Sequence, residues 1–266
     1  MRLDTAYDFT KDIRNFRERH WAADPVKGKI TNGIDPDRLS DTLRRYQYLL
    51  NRRELPNGEF FDLKYHLDRY ENGKPKNYTP VLVWDGMRFG NDSIIVSFRY
   101  SDRIFPLINE IVARPGYRDW VDDFESRAYT IGGEMLFPMH PSINSIRGIN
   151  SEIRDRFDLT LECIWAFYNG DKRMENGKMQ PLLDAIWENA RFFGCFEDFE
   201  GYVDFFFLQD CIGDDGRPER YLRDTGLPTN LDDYDLFIRK ELDFLKKRNE
   251  RIAKIDLKEW PIIWDE

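Results

Sequence analysis

The most constraining feature of the chain is the change in its hydrophobic pattern from the middle to the end. Residues 80–84 (PVLVW) form a continuous apolar run, and residues 93–100 (SIIVSFRY) alternate apolar and polar side chains. Both patterns are typical of β-strands, whereas the chain from residue 151 onward repeats apolar side chains at helical spacing. The sequence therefore predicts an α+β fold: a small, mostly antiparallel sheet from the middle of the chain, packed by surrounding helices, with a mainly helical C-terminal half.

Local signals add further elements to this prediction. A third strand is predicted at residues 129–137, interrupted by the glycine pair Gly132-Gly133, and is expected to pair with the 93–100 strand. The connection between the first two strands is expected to be an irregular hairpin. Asp35-Pro36 combines an N-cap acid with proline at the first helical position, which predicts a helix up to about Leu50. The remaining helices are predicted at residues 105–114, 151–168, 181–193, 202–211 and 236–255.

The composition indicates a folded, acidic protein. With 266 residues, of which 15% are aromatic, the chain is able to bury a sizeable core. A single domain is predicted for residues 1–266, with a soft boundary near the polar linker at 72–79. The net charge of −9 argues against a surface that coats a nucleic-acid backbone broadly, because such surfaces are basic.

The cysteines and the apolar runs predict a cytoplasmic protein. Cys163, Cys195 and Cys211 are far apart and show no metal-ligand or redox spacing, which is typical of thiols in a reducing compartment. The first residues carry acids early and lack the apolar segment of a signal peptide. The longest apolar run, residues 205–208, is too short to span a bilayer, so no membrane partner is expected.

A short stretch near the middle of the chain concentrates the side chains suited to catalysis. Asp155, Asp158 and Glu162 are expected on adjacent turns of one face of the 151–168 helix. Such a cluster suits a divalent metal cofactor, Mg²⁺ or Mn²⁺, or a catalytic acid or base, because hard cations bind oxygen ligands. His140 is a candidate general base, since its side chain titrates near neutrality. The alternative is that the carboxylates form a solvated, arginine-paired face and that His140 is an ordinary loop residue.

The loop before that helix is a predicted binding site for phosphate. Asn144, Arg147 and Gly148 combine an amide, a planar guanidinium and backbone freedom next to a helix N-terminus, which favours anions. Gly132-Gly133 on the preceding strand would let a ligand approach closely. The alternative is that Arg147 bridges the loop to an acid and has only a structural role.

Two further charged residues belong to the predicted ligand-binding set. Asp210 lies in the apolar 202–211 segment, where a buried acid needs a partner, expected among the arginines of residues 147–156. Arg156 is one of these arginines and is expected to add positive charge to the site. The alternative for Asp210 is a structural ion pair that fixes two helices together.

The sequence selects no reaction. It contains no nucleophile elbow, zinc-protease motif, phosphate-binding loop or dinucleotide fingerprint. The site residues favour an enzyme that acts on a phosphate-bearing ligand, either a nucleotide or a nucleic-acid end. The alternative is a non-catalytic interaction or nucleotide-sensing protein, for example a phage-defence or regulatory component. The residues leave both alternatives open.

Several strings along residues 35–252 carry a family resemblance. They are DPDRLSDTLRRYQYLL, LPNG, IGGEMLFP, INSIRG, DRFDLTLECI, GYVDFFFLQD and RNERI. Together they are similar to a bacterial or phage family known as a domain of unknown function, and DRFDLTLECI is the most specific of them. The resemblance implies a cytoplasmic protein of a single family, and it supplies no reaction and no catalytic residue.

Overall fold

The main sheet of the protein has four antiparallel strands. The structure is a computed structural model that describes residues 1–21, 36–67, 70–71, 74–75, 80–95, 105–139, 156–223 and 225–265. The strand order is β1-β4-β5-β6, and the strands are β1 (Lys64–His66), β4 (Val81–Trp84), β5 (Met87–Ser93) and β6 (Glu134–Pro138). A separate hairpin, β2 (Tyr70–Glu71) with β3 (Lys74–Pro75), lies between β1 and β4 in the chain. The predicted sheet from the middle of the chain is confirmed.

Helices make up most of the remaining structure. The first half contains α1 (Phe16–Trp21), α2 (Pro36–Leu39), α3 (Asp41–Asn51), α4 (Ile108–Val112) and α5 (Tyr117–Ala128). The second half contains α6 (Phe157–Tyr168), α7 (Gln180–Glu188), α8 (Ala190–Gly194), α9 (Phe199–Phe206) and α10 (Leu231–Ile252). The predicted α+β class is therefore confirmed. None of the helices that the structure describes is long and apolar enough to cross a membrane.

The turn between β4 and β5 is tighter than the predicted irregular hairpin. Asp85 and Gly86 have φ angles of 51° and 77°, and two such residues in succession form the turn that matches the twist of a hairpin. Pairing begins at once, with Trp84 opposite Met87. The overlooked signal is the Asp-Gly dipeptide, which is a strong hairpin signal when it lies between apolar runs.

The third predicted strand is shorter than expected. β6 begins at Glu134, and Ile131–Gly133 before it forms a 3₁₀ turn. Its partner is β5, with Ser93 opposite Glu134, and the Ile94 N–H donates to the Gly133 carbonyl at 2.9 Å. Among the described residues, the predicted pairing with residues 93–100 is therefore observed at Ser93 and Ile94. Residues 96–100 lie outside the described residues.

Helix α6 begins later than predicted. Arg156 has φ −127° and ψ 69°, which is not helical, so the helix starts at Phe157 rather than at residue 151. The predicted burial is confirmed, because Phe157, Leu161 and Ile164 are each at most 2% exposed. α6 is therefore a core helix.

Three other predicted helices are divided or shortened by local geometry. The helix predicted to begin at Asp35-Pro36 is divided at Ser40, whose hydroxyl accepts a hydrogen bond from the Leu43 N–H and caps α3. The helix predicted at residues 181–193 is divided at Asn189 into α7 and α8. The helix predicted at residues 202–211 ends early as α9, because Phe207 adopts the left-handed conformation that terminates helices.

Helix α5 is absent from the sequence predictions. The preceding Pro115-Gly116 pair indicates a stop, but the left-handed Gly116 (φ 71°) instead leads into a new helix. The buried side chains of this helix recur at helical spacing: Tyr117, Val121, Phe124 and Ala128.

An aromatic core joins the sheet to α8 and α9. The Phe61 ring centroid lies 5.4 Å from that of Phe89 in β5, 5.9 Å from Phe192 in α8 and 6.2 Å from Phe205 in α9. Each of these four side chains is at most 5% exposed. Burial of such large rings is the main favourable contribution to folding here.

The C-terminal residues extend the sheet at β1. The Tyr65 N–H donates to the Ile263 carbonyl at 2.7 Å, and the Asp265 N–H donates to the Tyr65 carbonyl at 2.8 Å. These bonds make a short parallel bridge. The C-terminal strap, defined as residues 257–265, therefore covers the outer edge of β1, which would otherwise expose backbone donors and acceptors.

Candidate ligand-binding site

The N-terminus of α6 is built around a buried ion pair. The Arg156 Nε and Nη2 atoms donate to the two Asp158 carboxylate oxygens at 2.9 and 2.8 Å. Asp158 Oδ2 also accepts the Tyr221 backbone N–H at 2.9 Å, and the guanidinium donates to the Gly226 carbonyl. Both side chains of the pair are at most 1% exposed. The pair therefore ties α6 to the loop that carries Tyr221 and Gly226.

Glu162, one turn further along α6, has a different partner. Its two carboxylate oxygens accept hydrogen bonds from Arg220 Nε at 2.7 Å and from Arg220 Nη2 at 2.5 Å. The pair lies at the surface, with side-chain exposures of 22% for Glu162 and 42% for Arg220. The hydrogen bond to Glu162 raises the pKa of Arg220, because it stabilises the charged guanidinium.

Asp210 pairs with α10. It lies in a 3₁₀ turn that follows α9, and its Oδ2 atom accepts a hydrogen bond from Arg251 Nε at 2.6 Å. This bond raises the pKa of the Arg251 guanidinium. The observed partner is thus Arg251 rather than an arginine of residues 147–156, and the pair fixes the end of α9 to α10.

The predicted metal ligands are not gathered in the described part of the chain. Asp158 is buried against Arg156, whereas Glu162 is directed to Arg220 at the surface. Asp155 lies outside the described residues. Among the residues that the structure describes, no group of three or more His, Cys, Asp or Glu side chains is placed to hold a metal ion. The Mg²⁺ or Mn²⁺ cofactor stays a prediction.

The predicted anion-binding loop also lies outside the described residues. It belongs to residues 140–155, between β6 and α6. At the far end of this segment, no side chain of the described part caps the first turn of α6. Five predicted site residues belong to the segment, and their roles stay predictions: His140, Asn144, Arg147, Gly148 and Asp155.

A buried arginine that sequence analysis does not single out joins several elements. Arg248 of α10 is 2% exposed, and its Nη1 atom donates to the carbonyls of Gly132 at 2.7 Å and Glu134 at 3.0 Å. Its Nε atom donates to the Phe206 carbonyl at 3.0 Å. Burial lowers the pKa of Arg248 to about 10. One guanidinium therefore connects β6, the turn before it and the end of α9.

The sequence signal for Arg248 is its position within an amphipathic pattern. It lies three residues after Leu245 and four before Ile252, and both of these are buried. A charged residue on the apolar face of a helix needs a buried polar partner. The pattern therefore identifies Arg248 as a buried charge, but it does not identify the backbone carbonyls that Arg248 contacts.

The glycine pair before β6 is required by packing within the chain. A Cβ atom on Gly133 would lie 1.8 Å from the Ala128 carbonyl oxygen, and one on Gly132 would lie 2.6 Å from the Asn249 side chain. Asn249 Oδ1 accepts the Gly132 N–H at 2.8 Å. Ala128 and Asn249 therefore make the close contacts at these glycines, and the expected approach of a ligand stays a prediction.

Comparison with known proteins identifies a family. The model of DUF6994, described as a family of unknown function, matches residues 3–252, which is nearly the whole chain. No curated protein and no solved structure matches the chain. The resemblance expected from the sequence motifs is thus confirmed at the level of a family of unknown function.

Proposed function

The chain belongs to the DUF6994 family, and we propose that this member binds a phosphate-bearing ligand without catalysing a metal-dependent reaction on it. The ligand class is a nucleotide or a nucleic-acid end. The proposed contacts are the Arg147 guanidinium, the Asn144 amide and the backbone at Gly148. The proposal corresponds to the nucleotide-sensing alternative, in which the predicted site residues bind the ligand and do not catalyse a reaction.

The observation that carries the proposal is that arginines already occupy the described candidate carboxylates. Three ion pairs share this property: Arg156–Asp158, Arg220–Glu162 and Arg251–Asp210. A hard divalent cation requires oxygen ligands. Its capture of Asp158 would break the buried ion pair with Arg156, which is strongly unfavourable. These carboxylates therefore serve the packing of the fold, which favours binding over metal-assisted turnover.

Features at the start of α6 support an anion as the ligand. The first-turn N–H groups have no side-chain cap from the described residues, and the helix dipole adds partial positive charge at this end. Asp158 in the first turn is neutralised by Arg156. An arginine in the preceding segment offers a planar fork that matches a phosphate group. With a net charge of −9 on the whole chain, such a local positive position would be a favoured place for a phosphate group to bind.

Calorimetric titration tests the proposal with ATP and with a 5′-phosphorylated oligonucleotide as probes. Each titration is made in EDTA and again in Mg²⁺. We expect one of the probes to bind in EDTA, where no divalent cation is available. Arg147→Ala should weaken this binding at least about tenfold, because a hydrogen bond to a charged group contributes about 1.5–3 kcal/mol.

Arg220→Ala is the matched control. It removes a half-exposed arginine that pairs with Glu162 of α6, and it should leave the Kd unchanged. Failure of both probes to bind would contradict the ligand class. Turnover of either probe that requires Mg²⁺ and is lost in Asp155→Asn would contradict the absence of catalysis and support the enzyme hypothesis.

A further inference from the structure

The C-terminal end of α9 carries a phenylalanine where helices usually carry glycine. Phe207 has φ 60° and ψ 47°, and its N–H donates to the Asp204 carbonyl at 3.3 Å. The next N–H, of Leu208, donates to the Val203 carbonyl at 2.9 Å. In this two-bond helix ending the left-handed residue is normally glycine, because a Cβ atom disfavours that conformation. The chain therefore carries a strained phenylalanine at a position where glycine would be relaxed.

The Phe207 ring contacts the guanidinium of Arg53. The Arg53 Cζ atom lies 4.7 Å from the Phe207 ring centroid and 4.0 Å from the Phe205 ring centroid. The Nη2 atom donates to the Phe205 carbonyl. Two cation–π contacts and a hydrogen bond thus orient one guanidinium, and the contact with Arg53 offsets the backbone strain at Phe207.

Arg53 differs from Arg52 because it forms no ion pair with an acidic side chain in the described part of the chain. Arg52 pairs with Asp62, whereas no carboxylate in the described part of the chain pairs with Arg53. The Arg53 Nε atom is buried and has no hydrogen-bond partner among the described residues. Burial lowers the pKa of Arg53 to about 10. The residue as a whole is half-buried.

We propose that Arg53, Phe205 and Phe207 form an anion-binding site that takes a single carboxylate or phosphate group. A desolvated cation without a carboxylate partner is stabilised by an anion that binds beside it. The guanidinium is held in place before binding, which lowers the entropy lost on association. Its planar fork suits either oxyanion. The site does not involve Arg147 and does not depend on the proposed function.

Two variants test the site, Arg53→Gln and Phe207→Gly. The probes are inorganic phosphate and acetate, each compared with chloride at equal ionic strength, and the two probes distinguish a phosphate from a carboxylate site. The readouts are the melting temperature and the proton–nitrogen NMR signal of Arg53 Nε. In the wild type we expect at least one probe to raise the melting temperature and shift this signal. The temperature shift should be lost in Arg53→Gln, and the apparent Kd should rise about fivefold in Phe207→Gly.

If Arg53→Gln does not fold, Phe207→Gly alone tests the site. Glycine relieves the strain of the left-handed conformation and removes only the ring, so this variant is expected to fold. Arg114→Gln is the matched control, since Arg114 pairs with Asp235 at 2.7 Å, and it should respond to anions as the wild type does. Equal responses in all variants, or no response in the wild type, would overturn the site. If Arg147→Ala lost the response to anions while Arg53→Gln and Phe207→Gly kept it, the anion would be assigned to the proposed ligand site instead.

Discussion

At the scale of single residues, the buried charges of this protein have partners that are mostly remote in sequence. Arg248 binds carbonyls of the turn before β6 and of α9, and Asp158 accepts the Tyr221 N–H as well as its ion pair with Arg156. Sequence reasoning identified Arg156 and Asp158 as candidates from residue type. It did not predict their direct pairing, because that pairing requires Arg156 to leave the helical conformation.

Gly133→Ala tests the packing explanation of the glycine pair. The added Cβ atom would meet the Ala128 backbone oxygen, which has little freedom to move, so we expect a loss of about 3 kcal/mol in the free energy of unfolding. Gly132→Ala should lose about 1 kcal/mol, because the Asn249 side chain can rotate away at the expense of a hydrogen bond. Urea denaturation measures both values.

Gly194→Ala is the control for these variants. A Cβ atom at Gly194 in α8 has nothing within 4 Å, so alanine should be neutral or stabilise the fold by up to about 1 kcal/mol. Wild-type stability in Gly133→Ala would show that the chain does not require glycine there for packing.

At the scale of elements, the type of each long patterned segment follows from the sequence, while the ends of elements do not. β4, α6 and α10 each have an uninterrupted pattern and were predicted. The errors lie where one backbone angle decides the outcome, as at Asp85-Gly86, Gly116 and Phe207. The late start of the third predicted strand has a tertiary cause, since Ile131–Gly133 is packed against Ala128 and α10.

The C-terminal strap allows a prediction about one element. The Trp260 ring lies 4.3 Å from the Arg52 Cζ atom, and the Trp260 carbonyl accepts a hydrogen bond from Arg45. Trp260→Ala should therefore lose about 2 kcal/mol of unfolding free energy, as expected for a desolvated cation–π contact. Trp264 is 51% exposed and contacts the Tyr65 ring, so Trp264→Ala should lose less than about 1 kcal/mol. Equal losses in urea denaturation would contradict this account of the strap.

At the scale of the whole molecule, the sequence predicts a candidate site between a strand and a helix, and the structure contains both elements, β6 and α6, with later starts than predicted. It could not predict which carboxylates are available there. Glu162 and Asp210 pair with Arg220 and Arg251, and each pairing depends on a chain path that local patterns do not reveal. The single domain predicted for residues 1–266 stays a prediction, and one cooperative unfolding transition would support it.

The central claim is that the described carboxylates of α6 stabilise the fold and do not bind metal. The free energy of unfolding of Asp158→Asn, measured by urea denaturation in EDTA and in Mg²⁺, tests it most directly, with Glu162→Gln of the same helix as the control. We predict a loss of about 3–5 kcal/mol for Asp158→Asn, since removal of one partner breaks a buried ion pair. The half-exposed Glu162 pair should contribute less than about 1 kcal/mol. Mg²⁺ should change none of these free energies of unfolding. The account would be contradicted if Asp158→Asn were as stable as the wild type in EDTA and if Mg²⁺ stabilised the wild type but not this variant.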